Sequence, residues 1–235
     1  MRKFLPFSRI NKVTENDPGI KILEKYRCQV KKSEFKEKDY ICLRDLKLVV
    51  LDTETTGLKP QAGDEIISVG ACFIKSGELM PECIHRLVNP LRPIPRLITD
   101  LTGIDDQMAA GAEGFCQVVA DLLEFIGDSV IIGHSIDFDI NFLNFKLKPY
   151  NVRINNHVID TGILSKALNP QLKLHSLDSI LSYLDIYPEG RHTSLGDALL
   201  TANVFLSFQK QLEELRIKTL HDLKCYIRNA MLYKF

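Results

Sequence analysis

Several features are missing from this chain of 235 residues, and each absence closes a class of reading. No apolar run approaches the roughly 20 residues that a membrane-spanning helix needs, so no membrane partner is expected. The opening, Met1 to Phe7, carries charge and only a stub of apolar residues before Pro6 and Arg9, which is not the pattern of a secretory leader. A cytoplasmic protein is the expectation. The six cysteines, at positions 28, 42, 72, 83, 116 and 225, show no metal-ligand spacing and read as reduced core residues. Net charge is absent too: 30 Lys and Arg balance 30 Asp and Glu, so no global basicity advertises a nucleic-acid partner. The chain also lacks internal repeats and low-complexity tracts.

What is present is ordinary globular composition, 45% hydrophobic and 26% charged, enough for one good-sized core with extensions. The charge is unevenly spread. Residues 1 to 47 hold 13 basic and 7 acidic side chains, residues 207 to 235 hold 6 and 3, and the middle holds 11 and 20. Basic ends around an acidic middle suit a cation-binding centre approached by a polyanion; a solvated basic tail fits the same asymmetry.

The acidic middle opens on Leu48-Val49-Val50-Leu51-Asp52-Thr53-Glu54-Thr55-Thr56-Gly57. Four β-prone apolar residues bounded by charge read as a strand buried on both faces. Side chains two apart on a strand project to the same side, roughly 6 to 7 Å from one another, so Asp52 and Glu54 are aimed at one point. Left alone, they repel and one takes up a proton. A divalent cation bound by oxygen removes the conflict, and Mg²⁺ or Mn²⁺ is expected. The bland reading of the same residues is a strand-to-turn junction with incidental acids.

Along the chain, residues 1 to 45 read as a basic, partly helical extension. Its helix starts at Asp17-Pro18, and a charged linker follows from Lys31 to Asp39. After the first strand, Glu65 to Ile74 and Glu82 to Val88 complete an antiparallel meander through a turn at Lys75 to Glu78. Pro-rich loop follows, then a short helix from Arg96 that ends at Gly103. Phe115, Val118, Val119, Leu122, Leu123 and Ile126 fall on one helical face, stopped by Gly127. A strand at Ser129 to Ile132 leads to a helix reaching Lys146, with Phe138, Phe142 and Phe145 facing inward. Then come a strand at His157 to Asp160 and helices near Thr161 to Leu168 and Ser176 to Leu184. A polar hinge at Gly190 to Ser194 precedes a long helix from Leu195 to Leu215. Thr219 caps a last helix striped by Leu220, Leu223, Ile227 and Met231. The order of elements predicts an α/β fold: a five-stranded mixed sheet with helices on both faces and ligands gathered at the strand ends.

Two further places set an acid beside a histidine at the start of a helix: His134-Ser135-Ile136-Asp137-Phe138-Asp139 and His192-Thr193-Ser194-Leu195-Gly196-Asp197. Asp139 and Asp197 would add the charge needed for two divalent ions. With Asp52 to Gly57 these stretches resemble the motifs of the DEDD-type 3′-to-5′ exonucleases of the histidine subclass. That family includes the proofreading subunit of bacterial replicative DNA polymerase, ribonuclease T and oligoribonuclease. D-x-E-T-T-G is intact. The usual H-N-x-x-F-D is here H-S-I-D-F-D, with Ser135 for asparagine, and the usual H-x-A-x-x-D has Ser194 for alanine. The match covers about residues 46 to 206, leaving 207 to 235 as a helical extension.

The resemblance implies a ribonuclease H-like fold and a two-metal phosphodiesterase. Asp52, Glu54, Asp139 and Asp197 would be the ligands, with Asp52 bridging both ions, and His192 would be the general base. The substrate would be single-stranded DNA or a frayed primer end, or alternatively short RNA, with nucleoside 5′-monophosphates as product. The resemblance also implies work in proofreading or repair, alone, as a homodimer, or with a DNA polymerase subunit. Backbone at Thr53 to Thr55 would meet the terminal 3′-hydroxyl, Leu58 would wedge against the last base, and His134 would touch the phosphate.

Each position has a plainer reading. His134 suits a half-buried histidine bonded to backbone, Asp137 an exposed first-turn acid, and Asp160 either a helix cap or a partner of the ligand set. Asp105 and Asp106 look like loop. His85, His157, His175 and His221 have no acidic partner at ligand spacing and read as structural. A phosphatase or phosphotransferase built on Asp-x-Asp-x-Thr is the competing enzyme reading; glutamate at position 54 opposes it, and that reading leaves His192 and Asp197 without a role. A non-catalytic nucleic-acid-binding module is the other competitor, and it would have lost a carboxylate or His192. None is lost.

Overall fold

The computed structural model describes residues 18–27 and 38–232. Its centre is β1, Leu48–Thr55, whose first four residues are all buried. They form a continuous apolar run because both faces of the sheet are covered. The strand pairs antiparallel with β2, Ile66–Lys75, and parallel with β5, Val130–Gly133. β3, Glu78–Asn89, follows β2 through Ser76 and Gly77, both at positive φ (55° and 77°), as a tight hairpin of right-handed strands requires. β6, Val158–Asp160, lies parallel to β5, and β4 is the pair Glu113–Gly114 beside β3. The order β4-β3-β2-β1-β5-β6 gives six strands where five were expected. Two residues carry no alternation, so β4 leaves no periodic trace in the sequence.

The helices are α1 Pro18–Leu23, α2 Arg96–Thr102, α3 Asp106–Ala110, α4 Phe115–Ile126, α5 Asp137–Leu147, α6 Thr161–Leu168, α7 Leu177–Tyr183, α8 Ser194–Glu214 and α9 Leu220–Leu232. α3 replaces the loop expected at Asp105 and Asp106. The Asp105 carboxylate accepts the Met108 N–H at 2.8 Å as a cap, and Asp106 accepts the Ile94 N–H at 2.8 Å, fastening the helix to the loop before α2. Gly127, at φ 51°, ends α4 as its pattern required. Thr219 and Asp222 cap α9 reciprocally, each side chain accepting the other's backbone N–H.

Alternate residues of β1 enter different cores. Leu48 and Val50 pack with Ala198, Ala202, Phe205 and Phe208 of α8. Val49 and Leu51 pack with Val118 and Leu122 of α4 and with Phe142 and Leu143 of α5. The end segments belong to these cores. Leu23 and Tyr26 lie on the α4 side, where the Tyr26 hydroxyl donates to Ala120 O, while Leu43 and Leu46 join Ile217, Leu220 and Leu223 on the α8 side. Leu43 N–H donates to Lys218 O at 2.7 Å and His221 N–H to Asp39 O at 2.8 Å, so the chain before β1 is paired with the chain after α8. The expectations for Asp17, Cys28 and Lys31 to Glu37 fall outside the described residues.

Three local expectations are corrected. Phe145 is 36% exposed rather than inward, because the buried stripe of α5 runs through Asp139, Leu143 and Leu147 and leaves it to one side. Of the described cysteines, only Cys72 is buried; Cys83 looks out from β3 into solvent. His157 does meet an acid, Asp39, with Nε2 to Oδ1 at 3.8 Å across a fold contact that chain spacing conceals. Among the described residues, no helix is long and apolar enough to cross a membrane.

Candidate active site

The two-residue repeat of β1 sorts the site as it sorts the core. Leu48 and Val50 face α8, and Asp52 and Glu54 continue that side beyond the apolar run. Asp197, in the first turn of α8, meets them there: one carboxylate oxygen from each of Asp52, Glu54 and Asp197 lies within 4.8 Å of the others. Thr53 belongs to the opposite face and reaches α5, where Asp139 Oδ1 accepts its backbone N–H at 3.0 Å and its hydroxyl at 2.5 Å. Asp139 is therefore adjacent to the trio, with its carboxylate engaged by Thr53 instead of grouped with the other three.

Close backbone contact sets the position of Asp197. A Cβ on Gly70 of β2 would stand 2.3 Å from Leu195 N, so only glycine lets the start of α8 lie against the sheet. Gly196 is equally confined, since a Cβ there would stand 1.9 Å from Gly190 O. Beside this contact the buried hydroxyls of Ser68 and Ser194 pair at 2.6 Å. The serine where the family motif has alanine thus has its partner on β2. The other motif departure has a backbone aspect: Ser135 sits at φ 56°, a left-handed conformation that asparagine tolerates better than most residues.

Gathering acids in a half-buried site shifts their protonation. Burial, and then the charges of Asp139, Asp197 and Glu54, hold the Asp52 carboxyl well above the usual range. Burial, with Asp197 and Asp139, pushes Glu54 up to about 8. Burial also raises Asp139, against the two Thr53 hydrogen bonds that favour its charged form. Among the described residues, Arg191 answers this field at contact distance, donating from Nη1 to Asp197 Oδ2 at 2.5 Å. The rest of its guanidinium forks Asp178, with Nε to Oδ1 at 2.6 Å and Nη2 to Oδ2 at 3.1 Å. Convergent carboxylate oxygens, with the carboxyls of Asp52 and Glu54 raised by burial and the gathered charge, fit a hard divalent cation.

The acids open on a cleft of about 580 Å³ whose lining includes Asp52, Asp197, His134, Lys166, His175 and Arg191. His134 is half-buried, its Nδ1 is 3.1 Å from the Thr161 hydroxyl, and burial lowers its pKa toward neutral imidazole. Asp160 proves to be both a cap and a brace. Its Oδ1 accepts Gly162 and Ile163 N–H at the start of α6, while Oδ2 accepts Ile136 N–H in the His134 to Asp139 segment. Asp137 is exposed in the first turn of α5.

The other residues singled out in the sequence divide. Thr55 spends its hydroxyl on Gly57 O at 2.7 Å, within the turn after β1, and Leu58 beyond it is 75% exposed. His192 stands at φ 63° and donates its backbone N–H to Asp197 Oδ1 at 3.3 Å. Among the described residues its imidazole makes no hydrogen bond. Arg191, Asp178 and Lys166 were given no site role by the sequence reading. Arg191 adjoins a motif histidine in an acidic region, which was a usable signal; its partner Asp178 is revealed only by folding. His175, read as structural, lines the cleft with Nδ1 2.8 Å from the Ser165 hydroxyl.

Comparison with known proteins bears on this geometry. Residues 49–205 match the family model described as Exonuclease. The chain is 38% identical over 181 residues to DNA polymerase III PolC-type of Thermotoga maritima, covering 77% of this chain and 13% of that protein. It is 40% identical over 167 residues to the DNA polymerase III subunit epsilon-like protein of Rhodobacter capsulatus, covering 70% of this chain and 24% of that one. The chain thus spans about an eighth of the first relative's length and about a quarter of the second's. Among solved structures, Exonuclease X in complex with 5′ overhanging duplex DNA superposes with a TM-score of 0.56 at 22% identity, covering 70% of this chain and 92% of that one. The likeness in fold extends the motif and family-model matches to the tertiary level, and the chain belongs to the exonuclease family, among the DEDD 3′-to-5′ exonucleases of the ribonuclease H-like superfamily.

Proposed function

We propose that this protein is a 3′-to-5′ exonuclease that uses two Mg²⁺ or Mn²⁺ ions to hydrolyse the terminal phosphodiester of single-stranded DNA or a frayed primer end, releasing nucleoside 5′-monophosphates. The observation that carries the reading is the meeting of Asp52, Glu54 and Asp197 oxygens within 4.8 Å, with Asp52 and Asp197 lining a polar cleft. Those three, with Asp139 beside them, would hold the metal. Bound there, divalent cations activate water and offset charge at the phosphodiester and at the leaving 3′ oxygen.

The remaining steps belong to side chains and backbone of the chain. Backbone from Thr53 to Thr55 presents the end of β1 to the terminal 3′-hydroxyl, and exposed Leu58 supplies an apolar edge for the last base. His134, with Nδ1 held by Thr161, keeps Nε2 for a phosphate oxygen, and Lys166 adds positive charge to the cleft wall. His192 takes the proton of the attacking water. Its place in the turn before α8, with no hydrogen bond to its imidazole among the described residues, leaves the ring able to move to the water. DNA as substrate, and a DNA polymerase as partner in proofreading or repair, are supported by the names of the relatives.

The test uses matched 3′-labelled DNA and RNA strands with Mn²⁺ or EDTA. Release of 5′-mononucleotides from DNA, abolished by EDTA, is expected; activity surviving thorough chelation, or products ending in 3′-phosphate, sinks the reading. Faster digestion of the RNA strand would overturn the assignment to DNA.

A further inference from the structure

Arg191 is held in place by more contacts than charge balance alone requires. Its fork on Asp178 sets the plane of the guanidinium, and the remaining nitrogen reaches Asp197 Oδ2 at 2.5 Å. The side chain is only 19% exposed, lines the cleft, and lowers the pKa of both Asp52 and Glu54 through its charge. The other oxygen of Asp197 takes the His192 N–H, so both oxygens of this carboxylate are already bonded. A divalent ion at ligand distance, about 2 Å, from the oxygen that Arg191 holds would stand roughly 4 Å from the guanidinium, where like charges in a half-buried site repel strongly.

We propose that Arg191 is a built-in counter-cation and positioning residue of the site: it holds Asp197 toward Asp52 and Glu54 while metal is absent, competes with the incoming divalent ion for that carboxylate, and yields it on binding. Asp178 keeps the displaced guanidinium on the cleft wall. The proposal rests on the metal-dependent reading above and deepens it, since it makes metal affinity a quantity set partly by this chain's own arginine.

The experiment measures Mn²⁺ affinity by electron paramagnetic resonance, and melting temperature in EDTA, for wild type, Arg191→Gln, Arg191→Lys and Lys166→Gln. Arg191→Gln should bind Mn²⁺ about tenfold more tightly, the worth of one charge-assisted hydrogen bond, and should melt lower than wild type when metal-free. Lys166→Gln removes a positive charge from the same cleft without touching the clamp and should tighten binding much less. Arg191→Lys keeps the charge but cannot fork Asp178, so it too should bind more tightly than wild type. Equal gains from Arg191→Gln and Lys166→Gln would overturn the proposal, leaving only general electrostatics. If Arg191→Gln fails to fold, Arg191→Lys decides, and wild-type affinity in that variant overturns it. Absence of Mn²⁺ binding in both wild type and Arg191→Gln is a different pattern, which overturns the metal-dependent reading and the proposal with it.

Discussion

Thr53 gives both of its donors to a single oxygen of Asp139, the backbone N–H at 3.0 Å and the hydroxyl at 2.5 Å. This bond joins the strand that carries two of the acids to the helix that carries another, and both partners are buried. Thr53→Val keeps shape and N–H but loses the hydroxyl bond. It should cost about 1 to 2 kcal/mol of stability in urea denaturation under EDTA. Wild-type stability in that variant would show that the hydroxyl adds nothing to the junction.

Ser68 and Ser194 join α8 to β2 in the same way. Either serine changed singly to alanine strands a buried hydroxyl, at about 1 to 3 kcal/mol, whereas Ser68→Ala with Ser194→Ala removes both partners and should be nearly neutral. The double-mutant cycle, read by denaturation, should therefore show strong coupling. Simple addition of the two single losses would refute the pairing.

The raised carboxyls make the metal-free protein sensitive to pH. Glu54 rises from the ordinary 4.5 to about 8, and Asp52 rises as well. Between those values the folded protein holds protons that the unfolded chain has released. The associated stability is complete below about pH 4.5 and is lost as pH rises through 8. In EDTA the melting temperature should fall across this window, and Mn²⁺ should restore progressively more of it toward pH 8. A metal-free melting temperature that stays level from pH 5 to 8 would contradict the charge arrangement.

For His192 the backbone and the ring are separable. The N–H holds Asp197 Oδ1, and that bond survives any side-chain change, so substitution should spare metal affinity. Asparagine tolerates φ 63° as well as histidine does, which makes His192→Asn a cleaner variant than alanine. Its turnover should fall about 100-fold or more, the worth of a positioned base. An unchanged rate would send the search for the base elsewhere, with Mn²⁺ binding as the control for an intact site.

Asp197→Asn removes one of the three convergent carboxylates and should reduce turnover by several orders of magnitude without loss of fold. Near-wild-type turnover in this variant would place the chemistry outside the cleft.

Where side-chain period and local chemistry decide, residues near in the chain were enough. The apolar run of β1, the spacing of Asp52 and Glu54, the stripe of α4, its stop at Gly127 and the cap at Thr219 each depend on neighbours within about one or two turns or one strand. Tertiary structure decided what depends on distant partners. The two-residue β4 exists only because β3 lies beside it. The engagement of Asp139 by Thr53 spans 86 positions, and the pairing of Ser194 with Ser68 spans 126. Arg191 stood in plain view next to His192, yet its role depends on Asp178 and Asp197 arriving from two different helices. Local sequence can place a carboxylate on a strand; which cation, hydroxyl or backbone N–H it faces is set when the helices close over the sheet.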